Sequence, residues 1–282
     1  MPDGVEPVQK ALRELGKALK CASGNPLPKQ VHKLRTSARR VEAIAAALPR
    51  IDAKTSRRLI RSIEPLRKTA GRVRDMDVLV ANLRKLARDS SGHSLAQLVD
   101  HLQFIRASGA EDLEQELARK RKAARKNLKD FEHEMRAAQP SGSSAHSNGR
   151  LAHTRNGQRP NGIDPTAKHL AHEMAEWPPL NEENVHEFRV KIKELRYILQ
   201  LDAKADAAFV AALGSVQRSI GEWHDWQLLA EIAREFLDPA QDHALATRID
   251  DTMHKKLTHA LAAANALRRE HLRSSLPHVL GC

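Results

Sequence analysis

The chain has few aromatic residues: five Phe, three Trp and one Tyr among 282 residues. Glycine is also scarce, at 13. β-Sandwiches and barrels rely on aromatic and β-branched strands joined by Gly-rich turns, so this composition argues against both. Cysteine is limited to Cys21 and Cys282, far apart in the chain. Two such residues make neither a disulfide framework nor a thiolate metal site, and a reducing cytoplasm is the expected compartment. No run of about 18 apolar residues is present, so no membrane span and no membrane partner are expected. The opening MPDGVEPVQK lacks the apolar stretch of a signal peptide.

What the chain has in quantity is Ala (41) and Leu (34), both strong helix formers. Hydrophobic residues reach 41%, enough for a packed core. The expected fold class is all-α. Apolar positions recur at helical spacing and predict helices over 5–21, 28–48, 53–72, 74–89, 93–108 and 110–138. They resume over 164–177, 181–202, 206–220, 222–236, 240–248 and 249–275. Expected breaks fall at Pro26 with Pro28, at Pro49, near Gly71 and at Ser108-Gly109. Residues 139–163 are rich in Ser, Gly, Asn and Pro and hold no Asp or Glu, the composition of a flexible linker. The chain therefore reads as a first helical half over 5–138, the linker, and a second half over 164–277.

Positive charge is concentrated. The formal net charge is +12, and residues 29–74 alone carry 14 Lys/Arg against three acids. Such a concentration is self-repelling unless an anion relieves it.

The two halves repeat a pattern. Val31-His32-Lys33-Leu34-Arg35 aligns with Val185-His186-Glu187-Phe188-Arg189, and Arg39 then falls on Lys193. Lys68-x-x-Gly71-x-x-x-Asp75 aligns with Arg218-x-x-Gly221-x-x-x-Asp225, and Leu79 with Leu229. Two blocks in the same order at nearly equal offsets point to a duplicated helical bundle.

On a helix, His186, Arg189, Lys193 and Arg196 form a narrow basic stripe bordering the apolar arc of Val185, Phe188, Ile192, Leu195 and Leu199. His32, Arg35 and Arg39 take the same directions beside Val31, Leu34, Ala38 and Val41, with Glu42 in the place of Arg196. Clustered cations need a counter-charge. Arg offers a planar fork for phosphate oxygens, Lys a point charge, and His a donor that titrates near neutrality. The stripes thus suggest sites for phosphate-like anions. Protonated His would add attraction, so binding is expected to tighten as pH falls from about 8 to 6. The flank differs in sign: Lys29, Lys33 and Arg40 align with Glu183, Glu187 and Glu194. Gly71 and Gly221 interrupt helical patterns at a cost of roughly 1 kcal/mol relative to Ala, which a helix break or a close helix approach would explain. Asp75 and Asp225 recur at equivalent places and are expected to orient the Arg or His side chains of the stripes.

At VHKLRTSARRVEA, GRVRDMDVL, VHEFRVKIKELRY and IGEWHDWQLL the chain resembles the CHAD domain, the conserved histidine α-helical domain. The resemblance spans nearly the whole chain. It implies two four-helix bundles related by a pseudo-twofold axis, with a basic groove or channel between them that binds inorganic polyphosphate. By matching position it implies His32, Arg35, Arg39 and Arg40 as first-half ligands, and His186, Arg189, Lys193 and Arg196 as second-half ligands. Lys33, Lys68, Arg72, Arg74 and Arg218 extend the set. The second Gly/Asp block departs from the family pattern, with His224 standing where Arg74 does.

The expected function is non-enzymatic polyphosphate binding, with the protein targeting or regulating at polyphosphate granules. Polyphosphate-metabolising enzymes are candidate partners, and no cofactor, catalytic residue or metal is expected. Residues 29–74 contain no aromatic residue, which suits a base-free polyanion better than single-stranded RNA. A nucleic-acid protein working through phosphate contacts alone is the alternative. A metal-dependent polyphosphate hydrolase using Asp75 or Asp225 is the enzymatic one. No P-loop appears. Glu183-x-x-His186 resembles a di-iron half-motif, but its duplicate reads Lys29-x-x-His32.

Overall fold

The computed structural model describes residues 5–22, 26–47, 52–86, 92–137, 165–200 and 205–273. Among these there are eight α-helices, a closing π-helical stretch and no strand. The expected linker, 139–163, lies outside the described residues. None of the described helices is long and apolar enough to cross a membrane.

The chain forms two compact units, Met1–Asn148 and Gly149–Cys282. The first holds α1 (Val5–Cys21), α2 (Pro28–Ala47), α3 (Ala53–Leu86) and α4 (His93–Ala137). α1 packs on α2, α2 on α3, α3 on α4, and α4 closes back on α1. Leu12, Leu15, Val31, Leu34, Ala38, Val41, Leu59, Ile63, Leu66, Leu113, Leu117 and Phe131 fill this core and are all but inaccessible to solvent. A part-buried ion pair ties α4 to α3: Arg106 of α4 reaches Asp77 of α3 at 3.1 Å and donates to the carbonyl of Pro26.

The second unit holds α5 (Pro165–Ala175), α6 (Val185–Gln200), α7 (Ala207–Phe236) and α8 (His243–Leu267), the last continued by a π-helical stretch, Arg268–Arg273. The order of neighbours recurs: α5 packs on α6, α6 on α7, α7 on α8, and the π-helical stretch closes on α5.

Three expected breaks do not occur. The segments expected over 53–72 and 74–89 are joined in one helix, α3 (Ala53–Leu86), running unbroken through Gly71. α4 likewise runs through Ser108 and Gly109, and α7 through Gly221. A single helical glycine costs only about 1 kcal/mol, and a helix buried along one face outweighs that. Gly109 has a packing reason: a Cβ there would stand 3.3 Å from Val73 Cγ2, so the small residue lets α4 approach α3 closely. A fourth expected boundary is also absent: α8 begins at His243, runs through 248–249 unbroken and ends at Leu267, within the 240–275 span expected for two helices. α6 starts at Val185 rather than 181, because Asn181 and Asn184 fold the preceding residues into a turn. The Asn181 carboxamide oxygen accepts from the backbone N–H groups of Glu183 and Asn184, and that of Asn184 accepts from the Asn181 N–H.

Candidate anion-binding site

α2 places His32, Arg35 and Arg39 on successive turns of one edge, because Val31, Leu34, Ala38 and Val41 commit the adjacent face to the core. His32 and Lys33 are exposed, whereas Arg35 and Arg39 are half-buried. The Arg35 guanidinium lies across α3 at Gly71, with its Nε 3.5 Å from where a Cβ would stand, and reaches Asp75 Oδ1 at 3.9 Å. Partial desolvation of the ring against the helix surface, then the charges of Arg74 and Arg35, hold the His32 pKa below its ordinary value. The structure thus brings His32, Arg35, Arg74 and Asp75 together.

Three other first-unit candidates are engaged elsewhere. Arg40 pairs with Glu14 of α1 at 2.9 Å, Lys68 with Glu64 one turn away at 2.8 Å, and Arg72 reaches Asp112 of α4 at 4.0 Å. Such exposed pairs are weak, so they bias these side chains without locking them.

In the second unit α6 presents His186, Arg189, Lys193 and Arg196 beside buried Val185, Phe188, Ile192 and Leu195. Arg189 lies against Gly221, its terminal nitrogen 3.0 Å from the position of a Cβ, and its Nε donates to the Gln217 carbonyl at 3.3 Å. Arg196 lies against Gly214 at 3.3 Å and donates to the Gln217 side-chain oxygen at 3.2 Å. The His186 and His224 rings stand 5.3 Å apart, centroid to centroid. Burial, then Arg189 and Lys193, lower the His186 pKa, with Glu187 opposing. Arg218 is exposed on α7, and Asp225 follows His224 on the same helix. Among the described residues, no group of three or more His, Cys, Asp or Glu side chains is placed to hold a metal.

The glycines therefore seat guanidinium groups rather than break helices. Sequence reasoning missed Gly214 and Gln217. The signal was available: Arg189 and Arg196 are seven residues apart, and so are Gly214 and Gly221, as two antiparallel helices in register require. It also missed the first-unit counterpart, in which Arg67 Nε meets Glu42 Oε2 at 2.5 Å. There α2 supplies the acid and α3 the cation.

The CHAD-domain family model matches residues 6–234. The chain belongs to that family. The matched span includes both His-bearing helices and both Gly/Asp blocks. CHAD domains are associated with polyphosphate-related proteins. No curated protein and no solved structure matches the chain.

Two expectations follow from the geometry of this CHAD domain. Ala at position 71 meets Arg35 at an ordinary contact distance, whereas Ala at 221 forces Arg189 aside by a few tenths of an ångström. Both substitutions gain up to about 1 kcal/mol of helix propensity. Gly71→Ala should therefore raise the melting temperature and leave anion affinity unchanged, while Gly221→Ala weakens affinity several-fold. Calorimetric melts and anion titrations on the two variants measure this, and equal affinities would refute the seating role of Gly221.

The second concerns pH. Both stripe histidines are held below the ordinary imidazole value, about 6.5, so they are neutral at pH 7 in the free protein. A bound anion favours the charged imidazole, so binding takes up protons. Affinity should rise as pH falls through the imidazole pKa of the complex, which the anion raises above that of the free protein, the direction the sequence suggested. Titrations between pH 5.5 and 8 on wild type and His32→Ala/His186→Ala test it, the variant losing the rise.

Proposed function

We propose that this CHAD domain is a non-enzymatic binder of inorganic polyphosphate. The observation that carries the reading is the seating of half-buried guanidinium groups on helical glycines: Arg35 on Gly71, and Arg189 and Arg196 on Gly221 and Gly214. Arg side chains laid down this way lose little further entropy on meeting a phosphate, so each planar fork is pre-organised for bidentate contact. Arg39, Arg74 and Lys193 add charge beside them, and His32 and His186 add donors that charge when the anion is present. Asp75 orients Arg35 rather than neutralising the stripe. A polyphosphate chain carries roughly one charge per phosphate and no bases, so it needs this cation spacing and no aromatic platform.

The role we assign is retention at polyphosphate granules in the cytoplasm, alongside enzymes that make or degrade the polymer. Incubating protein and polyphosphate with Mg²⁺ or Mn²⁺ separates binder from hydrolase. Polymer retention without phosphate release is the expected result. Release that disappears in Asp75→Ala would replace this reading with an enzymatic one. A fluorescent fusion should collect on granules in polyphosphate-rich cells and disperse when the polymer is absent.

A further inference from the structure

The first unit carries a second basic surface, away from the His/Arg stripe. Residues 119–129 of α4 include seven Lys/Arg and no acid. Arg121 donates to the Ala22 carbonyl and Arg119 pairs with Glu116. Lys122, Arg125, Lys126 and Lys129 are exposed and share one side of the helix, with no ion-pair partner among the described residues. Solvent reaches this side along an open hollow of about 680 Å³ lined between Glu114 and Lys129.

α1 adds a parallel row. Lys10, Arg13, Lys17 and Lys20 recur at three- and four-residue spacing and are all exposed. Glu14, between Arg13 and Lys17, is taken by Arg40. α1 and α4 run antiparallel in contact: Ala22 meets Arg121, and Leu128 stands 3.7 Å from a Cβ position at Gly16. The α1 row exposes its cations opposite the buried Leu12–Leu15–Leu19 side, and Lys20 comes beside Arg121 and Arg125 in this register.

We propose that the α1/α4 surface binds the phosphate backbone of duplex nucleic acid without reading sequence. Packed helix axes lie about 8–10 Å apart, so two rows of long cationic side chains on adjacent helices match phosphates facing one another across a groove about 12 Å wide. A single phosphate chain would follow one row and leave the other uncompensated. Single strands are disfavoured because α1 and residues 110–130 of α4 contain no aromatic residue for bases to stack on. A membrane surface is disfavoured because, among the described residues, neither 8–21 of α1 nor 110–130 of α4 exposes a large apolar side chain to insert. Exposed lysines suit hydrated, salt-sensitive backbone contacts, whereas the half-buried arginines of the α2 stripe do not need such breadth.

Fluorescence anisotropy with a labelled 20-base-pair DNA duplex of random sequence at low salt tests the proposal. Wild type should bind. Lys122→Gln/Arg125→Gln/Lys126→Gln/Lys129→Gln should weaken binding more than tenfold and reduce the log–log salt slope by about 3 to 4, near 0.9 per lost phosphate contact. Lys10→Gln/Lys17→Gln/Lys20→Gln, an independent set on the other helix, should weaken it several-fold. Arg35→Ala/Arg39→Ala should leave duplex affinity within twofold. Absence of duplex binding by wild type would overturn the proposal. So would wild-type affinity in the α4 or α1 set, or loss of polyphosphate binding in the α4 set with duplex binding intact.

Discussion

Replacing Arg35 and Arg39 together by Ala should lower polyphosphate affinity about 100-fold. Arg35 is held across Gly71 with Asp75 at 3.9 Å, and Arg39 follows one turn later, half-buried on the same edge of α2. A charge-assisted hydrogen bond contributes about 1.5–3 kcal/mol, and two lost together remove roughly 3 kcal/mol after partial compensation by neighbours. At 1.4 kcal/mol per decade that is about two decades. His32→Ala should cost only several-fold, because one imidazole supplies a single donor beside the planar forks of two guanidinium groups. Folding should not suffer in the double variant, since like charges are being removed from beside Arg74. Titration calorimetry with polyphosphate of defined length, paired with a thermal melt, measures both. Unchanged affinity would remove the α2 stripe from the account.

Arg268→Ala should destabilise the second unit by about 3 kcal/mol. Arg268 is 5% exposed at the start of the π-helical stretch. Its guanidinium donates to the carbonyls of Ala175 at 3.1 Å, Pro178 at 3.2 Å and Trp177, and Arg273 Nε adds a second bond to Ala175. These carbonyls include the C-terminus of α5, where backbone acceptors are unsatisfied and the helix dipole is negative. Burial, reinforced by Arg273, lowers the Arg268 pKa, with Glu176 opposing, yet a guanidinium stays charged near neutrality. Removing it strands several buried acceptors, a loss in the range measured for broken buried charge contacts. Trp177, Trp223 and Trp226 are the chain's three tryptophans, and all lie in the second unit. Their fluorescence therefore reports that unit's unfolding alone. The urea midpoint by fluorescence should fall sharply, and Arg268→Lys should not restore it, because an ammonium cannot reproduce the planar fork across three carbonyls. An unchanged midpoint would show that the π-helical clamp is dispensable.

The helices were legible because Ala and Leu at 3.6-residue spacing leave few alternatives, and α1 and α2 fall where that spacing places them. The glycines were not read correctly. Gly71, Gly109 and Gly221 look like breaks in a propensity-based reading, since propensity counts the cost of a helical glycine and not the partner that needs the space. Only the fold shows that Val73 or an Arg side chain fills it. The His/Arg stripes were visible as residue types on one helix edge, but their partners on α3 and α7 are distant in sequence. Arg40 and Arg72 illustrate the same limit: periodicity gives a direction on the helix, while Glu14 and Asp112 belong to other helices. The basic run in α4 leaves no trace in the net charge, because acids elsewhere in the chain offset it.

The central claim is that the glycine-seated arginines are polyphosphate seats. Its most direct test is titration of defined-length polyphosphate into the wild-type protein at two salt concentrations, with a DNA duplex present as competitor. The account predicts saturable binding that weakens steeply with salt and resists an equal concentration of duplex phosphate. Polyphosphate that fails to saturate the protein, or that is displaced by duplex at comparable concentration, would contradict it.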